Sequence, residues 1–247
     1  GSWPDINYAD TKRSGWEPKQ HTERILKLTK YYAREQENVS AQEISAVVSI
    51  IHQAMKYWFV QKPVCKNWWY NQIAEPQPIG VLLIQMRTGK KHIPADLEHR
   101  TLERMKAEGG DPAKWTGANM TDIALHWIYR ACLTADEDLL KTAIDYSYST
   151  VKYTTAEGFQ YDNSYFQHGV QLYIGGYGDE ILKGVTQVAM YTQGTQYALP
   201  SEKMAILDKF MRETYYQTIR GKYMLFDVLG RGMSLSLIHI SEPTRRT

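Results

Sequence analysis

Apolar and aromatic residues recur every three or four positions along most of this chain, a spacing that lines one face of a helix but scatters over both faces of a strand. Between Glu23 and Glu35 they are Ile25, Leu28, Tyr31 and Tyr32. Ser40 and Glu43 stand in capping-box register just ahead of Ile44, Val47, Val48, Ile51, Met55 and Trp58, so another helix follows closely. Pro76 and Pro78 can open a helix through Leu82, Leu83 and Met86, ended by Gly89, and Leu97 to Glu108 gives the next before Gly109 and Gly110. Asp122 to Leu133, and Thr134 with Glu137 as a second capping box leading to Tyr148, form a further pair. Gly178 to Tyr191 and Ser201 to Ile219 complete the set, and outside Val151 to Thr155 no segment alternates convincingly as a strand does. The pattern predicts an all-α chain, an array of helix pairs with short connections rather than a βαβ fold.

A chain of 247 residues with 43% hydrophobic content can bury a substantial core, as one large domain or two small ones. Its formal charge of +2 comes from nearly balanced acids and bases, so no basic field points to nucleic acid. No apolar run approaches the roughly 18 residues that span a bilayer, so no membrane partner is expected, and a monomer is. The 18 Tyr and 7 Trp outnumber the 5 Phe, which favours rings that stack on sugars while a polar handle hydrogen-bonds. Cys65 and Cys132 are too few for a disulfide framework and lack metal-ligand spacing; one disulfide is the most they could make.

Four segments between the helices carry the candidate chemistry. Asn67-Trp68-Trp69-Tyr70 reads as a loop that is either a core plug or a stacking platform, with Asn67 hydrogen-bonding a sugar. Trp115-Thr116-Gly117-Ala118-Asn119 precedes a helix beginning near Thr121, where Asn119 either caps the helix or offers its amide to a carboxylate. The stretch from Asp162 through Gln167 and His168 to Tyr177 and Gly178 places a histidine and a tyrosine nine residues apart beside glycines, which let backbone approach a ligand closely. Arg231 between Gly230 and Gly232 is either an unremarkable surface turn or a fork aimed into a cleft.

Taken in order, Asn67-Trp68-Trp69, Thr116-Gly117-Ala118-Asn119, Gln167-His168, Gly176-Tyr177-Gly178 and Gly230-Arg231-Gly232 resemble the polysaccharide lyase 8 family, in particular its chondroitin-cleaving members. The resemblance runs from about Trp16 to Ser234 and implies an incomplete α/α toroid, the N-terminal part of a protein that continues into β-sheet domains. It implies β-elimination on a uronate-containing glycosaminoglycan, chondroitin sulfate or hyaluronan, to an unsaturated uronate. Carried over position by position, Tyr177 transfers the proton, Asn119 and His168 are its immediate partners and Arg231 supports it. Trp68, Trp69 and Trp115, with Asn67 and Gln167, hold the sugar chain. No metal or other cofactor is expected. Met120 departs from the pattern, standing where relatives often carry a basic residue, as does Leu235, where a second arginine usually follows the serine.

After Ser234 the sequence changes character, and Leu235 to Arg245 can be encoded by a string that looks like a transposon-type sequencing adapter. Residues 1–234 are therefore expected to be a partial toroid domain and residues 235–247 adapter read-through. Two other functions compete. One is a carbohydrate-binding or inert helical fragment; the other is an α/α-barrel glycoside hydrolase, for which Glu75, Asp122, Asp162 and Asp179 show no spacing that singles out a carboxylate pair. The family resemblance implies export to the periplasm or beyond the cell.

Overall fold

The structure, a computed structural model, describes residues 1–221 and 223–234, so the expected read-through tail lies outside the described residues. The described chain falls into two compact units, one formed by residues 1–110 and 126–140 and the other by the remainder.

The first unit is built on α1 (Lys19–Glu35), α2 (Ala41–Gln61), α3 (Pro76–Arg87) and α4 (Ala95–Glu108). Ser40 caps α2 by accepting the Glu43 amide, as its sequence register predicts. The buried stripe of α2 is Ile44, Val48, Ile51, Met55 and Trp58, and its first four members meet Ile25 and Tyr32 of α1 and Leu82, Leu83 and Met86 of α3 in one core. Each of these large side chains contributes about 1.5–3 kcal/mol on burial. Gly89 is a glycine for space: a Cβ there would run into the Tyr32 ring, whose hydroxyl accepts the Lys91 amide and donates to the Lys91 carbonyl. Cys65 and Cys132 are both free thiols.

Helices α5 (Gly117–Thr134) and α6 (Glu137–Ser149) contribute residues to both units. The second unit adds α7 (Tyr177–Thr192), α8 (Ser201–Phe210) and a small antiparallel sheet in the order β1 (Gly158–Phe159), β2 (Tyr165–Gln167), β3 (Gln171–Leu172). Phe159 and Tyr165 of the sheet pack edge to face and both bury against Phe210, while α7 turns Ile181, Val185 and Val188 inward. A two-stranded ribbon of β4 (Ile219–Arg220) and β5 (Tyr223–Met224) precedes the turn carrying Arg231.

Several local expectations are corrected. Val151 to Thr155 makes one isolated bridge, Tyr153 to Phe159, and the strands lie elsewhere, in two- and three-residue pieces too short to show alternation. Asp162-Asn163-Ser164 is the turn between β1 and β2: the Asp162 carboxylate accepts the Ser164 amide and hydroxyl, and Asn163 takes the left-handed conformation. The cap of α6 is Asp136, which accepts the Leu139 amide, whereas Thr134 ends α5 and donates to the Arg130 carbonyl. The Asn67 segment is not a loop: Trp68 and Trp69 open a helical turn that widens into a π-turn over Tyr70–Ala74.

Candidate active site

The chemistry-bearing residues of the second unit gather around the Tyr177 hydroxyl. Tyr177 is the first residue of α7, entered through Gly176 at φ +70°, where a side chain would be strained and would press on the Tyr173 ring. The loop ahead of it is anchored by a bond from the Gly175 amide to the Val228 carbonyl at 2.9 Å.

His168 reaches the same oxygen from the turn between β2 and β3. Its Nε2 lies 3.0 Å from the Tyr177 hydroxyl, with the two rings edge to face at 5.0 Å. The turn is held in a costly shape, because His168 itself sits at φ +57° and Gly169 at +80°. A left-handed conformation at a non-glycine residue costs on the order of 1–3 kcal/mol and persists where the surroundings over-determine it.

Arg231 completes the cluster, its Nη2 donating to the Tyr177 hydroxyl at 3.4 Å. It rides on the turn Gly230–Ser234, and Gly230, at φ +53°, lies so close to Tyr173 that a Cβ would stand 2.5 Å from the ring. Tyr173 in turn meets Tyr177 edge to face at 4.8 Å. One buried ring therefore spaces the arginine turn from the phenol.

Burial raises the Tyr177 phenol above its ordinary value, and the Arg231 guanidinium pulls it only part of the way back. Burial and then the Arg231 charge hold the His168 imidazole below its ordinary value, against an opposing pull from Glu157. At neutral pH the cluster thus holds a neutral phenol beside a neutral imidazole under one fixed positive charge.

Asn119 is buried, 7% exposed, in the first turn of α5 rather than at its cap. The start of α5 abuts β2: a Cβ on Gly117, at φ +51°, would stand 2.6 Å from the Tyr165 hydroxyl and run into the Gln167 amide oxygen. Gln167 itself is 2% exposed, with its amide nitrogen donating to Glu157 at 2.7 Å and its oxygen accepting from Tyr165 at 3.2 Å. Gln167, expected to bind sugar, has both ends of its amide engaged inside the protein.

The family model for polysaccharide lyase family 8, N terminal alpha-helical domain, matches residues 1–239. The chain belongs to this family. It is 44% identical over 95% of its length to chondroitinase-AC of Pedobacter heparinus, and spans about a third, 33%, of that protein. Hyaluronate lyase HylA of Cutibacterium acnes is 27% identical over 72% of the chain and 23% of its own length. Among solved structures, an oligosaccharide-bound chondroitinase AC lyase superposes with a TM-score of 0.89 at 44% identity, over 94% of this chain and 34% of that one. The Streptomyces coelicolor A3 chondroitin AC lyase, at 18% identity and a TM-score of 0.73 over 87% of this chain and 30% of its own, shares the fold. The incomplete α/α toroid expected for a family 8 lyase is thereby shown.

The tryptophan segment of this family 8 chain belongs to the first unit. Trp69 is 37% exposed and packs edge to face on Tyr70, with the Lys19 ammonium 5.9 Å from the Trp69 ring centre. Trp68 is half-buried, and Tyr70 joins Trp16, Trp58 and Cys65 in a small core. Within the segment Tyr70 plugs the core and Trp69 leaves a face exposed. Asn67 anchors the segment locally, accepting the Trp69 amide at 3.1 Å and donating to the Arg13 carbonyl at 3.1 Å. Trp115, half-buried, closes a short 3-10 turn in the second unit, where its amide donates to the Pro112 carbonyl.

A cavity of about 50 Å³ in the first unit, among Trp58, Glu75 and Arg104, is lined by none of the residues carried over from the family resemblance. Among the described residues no group of three or more His, Cys, Asp and Glu is placed to hold a metal ion, and no helix is long and apolar enough to cross a membrane. Sequence reasoning missed Tyr173 and Glu157. Tyr173 lay inside the segment singled out, and its flanking glycines at Gly175 and Gly176 were the available signal; Glu157 carried none.

Proposed function

We propose that the chain is the helical part of an enzyme that cleaves uronate-containing glycosaminoglycans, chondroitin sulfate or hyaluronan, by β-elimination. The observation that carries the reading is the Tyr177 hydroxyl held between His168 Nε2 and Arg231 Nη2 in a member of this family. The named activities of the relatives, chondroitinase and hyaluronate lyase, are its second support.

Elimination requires loss of the proton on C5 of the uronate and departure of the oxygen on C4 of the neighbouring bond. Asn119 and His168 would hydrogen-bond the uronate carboxylate and stabilise the enolate-like charge that forms as the C5 proton leaves. Tyr177 begins as a phenol and must first give up its proton. His168 Nε2, neutral and 3.0 Å away, is placed to accept it, leaving a phenolate beside Arg231. The phenolate takes the C5 proton, the C4–O bond breaks, and Tyr177 returns that proton to the leaving oxygen. The imidazolium then gives its proton back to the phenolate, so every proton is accounted for. Trp68, Trp69 and Trp115 would hold the polymer by stacking. An extracellular polymer as substrate favours an exported enzyme, and a monomer suffices because His168, Tyr177 and Arg231 come from one chain.

The test is to incubate the chain, and a form extended with the remaining domains of the Pedobacter relative, with chondroitin sulfate and with hyaluronan, following ultraviolet absorbance of unsaturated uronate. Absorbance that rises with the extended protein and disappears in Tyr177→Phe supports the reading. A folded extended protein that is silent on both polymers overturns it, and binding without product would make the chain a carbohydrate-binding fragment.

A further inference from the structure

The strained turn at His168 needs something to hold it, and the second unit supplies a single carboxylate at that place. Glu157 Oε1 accepts the backbone amide of Gly169, the residue after His168, at 2.7 Å. Glu157 Oε2 accepts the Gln167 side-chain amide, on the residue before His168, at 2.7 Å. The same oxygen accepts the hydroxyl of Thr116, which immediately precedes α5 and stands three residues before Asn119. One side chain therefore ties both flanks of His168 to the approach of the helix that bears Asn119.

We propose that Glu157 is a positioning residue for this site, clamping the His168 turn and the start of the Asn119 helix into the one arrangement in which both can meet a uronate carboxylate. The proposal rests on the lyase reading for the identity of the substrate, while the clamp itself rests on geometry alone.

Three features give the clamp its strength. Hydrogen bonds to an ionised acceptor are roughly twice as strong as neutral ones, and three converge here on two oxygens. The Gln167 end is buried, with its amide oxygen fixed by Tyr165, so that arm cannot swing. The Gly169 arm bonds to backbone and so acts directly on the His168 φ angle. Glu157 also acts on His168 through space, because its charge favours the imidazolium that the Arg231 charge disfavours. Among the described residues, His168 also faces the Tyr177 hydroxyl and the Tyr173 ring.

Glu157→Gln is the informative variant, since it keeps an acceptor for Gly169 while removing the charge and turning a donor toward the Gln167 amide. The first readout is the His168 imidazole titration by NMR in the present chain, together with the Gly169 amide shift, neither of which needs catalysis. The expected result is a lower His168 midpoint and a displaced Gly169 amide, with thermal melting close to that of the parent. The second readout is kinetics in the extended protein, where kcat should fall roughly ten- to a hundred-fold with little change in KM. Thr116→Val removes one arm and leaves the charge; it should lower kcat less and leave the His168 midpoint in place. If Glu157→Gln does not fold, Thr116→Val decides: a reduced kcat with native melting supports the clamp, and a native kcat overturns it. A native His168 midpoint and Gly169 shift in folded Glu157→Gln also overturns it. Should the extended parent be inactive on glycosaminoglycans, the lyase reading fails while the NMR arm still decides the clamp.

Discussion

His168 Nε2 and the Tyr177 hydroxyl face one another at 3.0 Å as two neutral groups, an imidazole held below its ordinary pKa and a phenol held above its own. The proton between them has somewhere to go without either group being charged beforehand. That arrangement makes the removal of the phenol oxygen the most direct test. In Tyr177→Phe, product formation by the extended protein should fall by roughly 10²–10⁴-fold, the range for lost general acid–base catalysis. Melting of the present chain should change by no more than about 1 kcal/mol in stability, the net worth of a hydrogen bond. Continuous absorbance and a thermal scan on the same preparation check both.

Arg231 pulls the titrations of Tyr177 and His168 in the same direction, downward. Arg231→Ala should therefore raise both midpoints, and the rate of the extended protein should drop by roughly 10²–10³-fold if the guanidinium stabilises the phenolate. NMR titration of the imidazole tests the first statement independently of the second.

Gly230→Ala should reproduce part of that phenotype without touching a charge. The methyl group would stand 2.5 Å from the Tyr173 ring at a backbone angle of +53°. Strain and overpacking at such sites cost roughly 1–3 kcal/mol, and the turn must shift to relieve them, taking Arg231 with it. A lower melting temperature together with a raised His168 midpoint would show the displacement.

Glu75 supplies a prediction remote from the chemistry. Its carboxyl is buried, receives the Thr22 hydroxyl on one oxygen, and is pushed well above the ordinary range by burial. A raised folded-state pKa means that its contribution is present below the unfolded value and is lost as pH rises through the folded one. Glu75→Gln should melt like the parent below pH 4.5 and increasingly above it as the pH is raised from there. Parallel melting curves across that range would contradict a neutral Glu75.

Buried His21 and His126 act with the opposite sign. Burial lowers each from 6.5 to about 4, with the Ala54 and Gly109 carbonyls as their partners. The unfolded chain then binds more protons than the folded one between those values, so stability is lost as pH falls from about 6.5 toward 4. Melting temperatures measured across that interval should decline, and His126→Gln should flatten the decline while lowering stability at neutral pH.

The helices were legible because burying an apolar stripe imposes its period, and Ile44 through Trp58 show it without interruption. On α1 the stripe was less visible, because Thr22 and Thr29 occupy buried positions by donating to Glu75 and Gln85 across the core. The site was legible only in part. His168, Tyr177 and Arg231 were marked by their glycines, and those glycines prove to be where the chain turns sharply or lies on Tyr173. Glu157 was invisible because its partners lie 41, 10 and 12 residues away, and no local spacing records a contact made by folding.

Tyr177 is mounted on a helix whose inward residues Ile181, Val185 and Val188 are fully enclosed. The backbone that carries its ring is thus a beam set in the core, and moving that backbone means disturbing the packing along the beam. Adjustment around the Tyr177 hydroxyl falls instead to the short turn that carries Arg231.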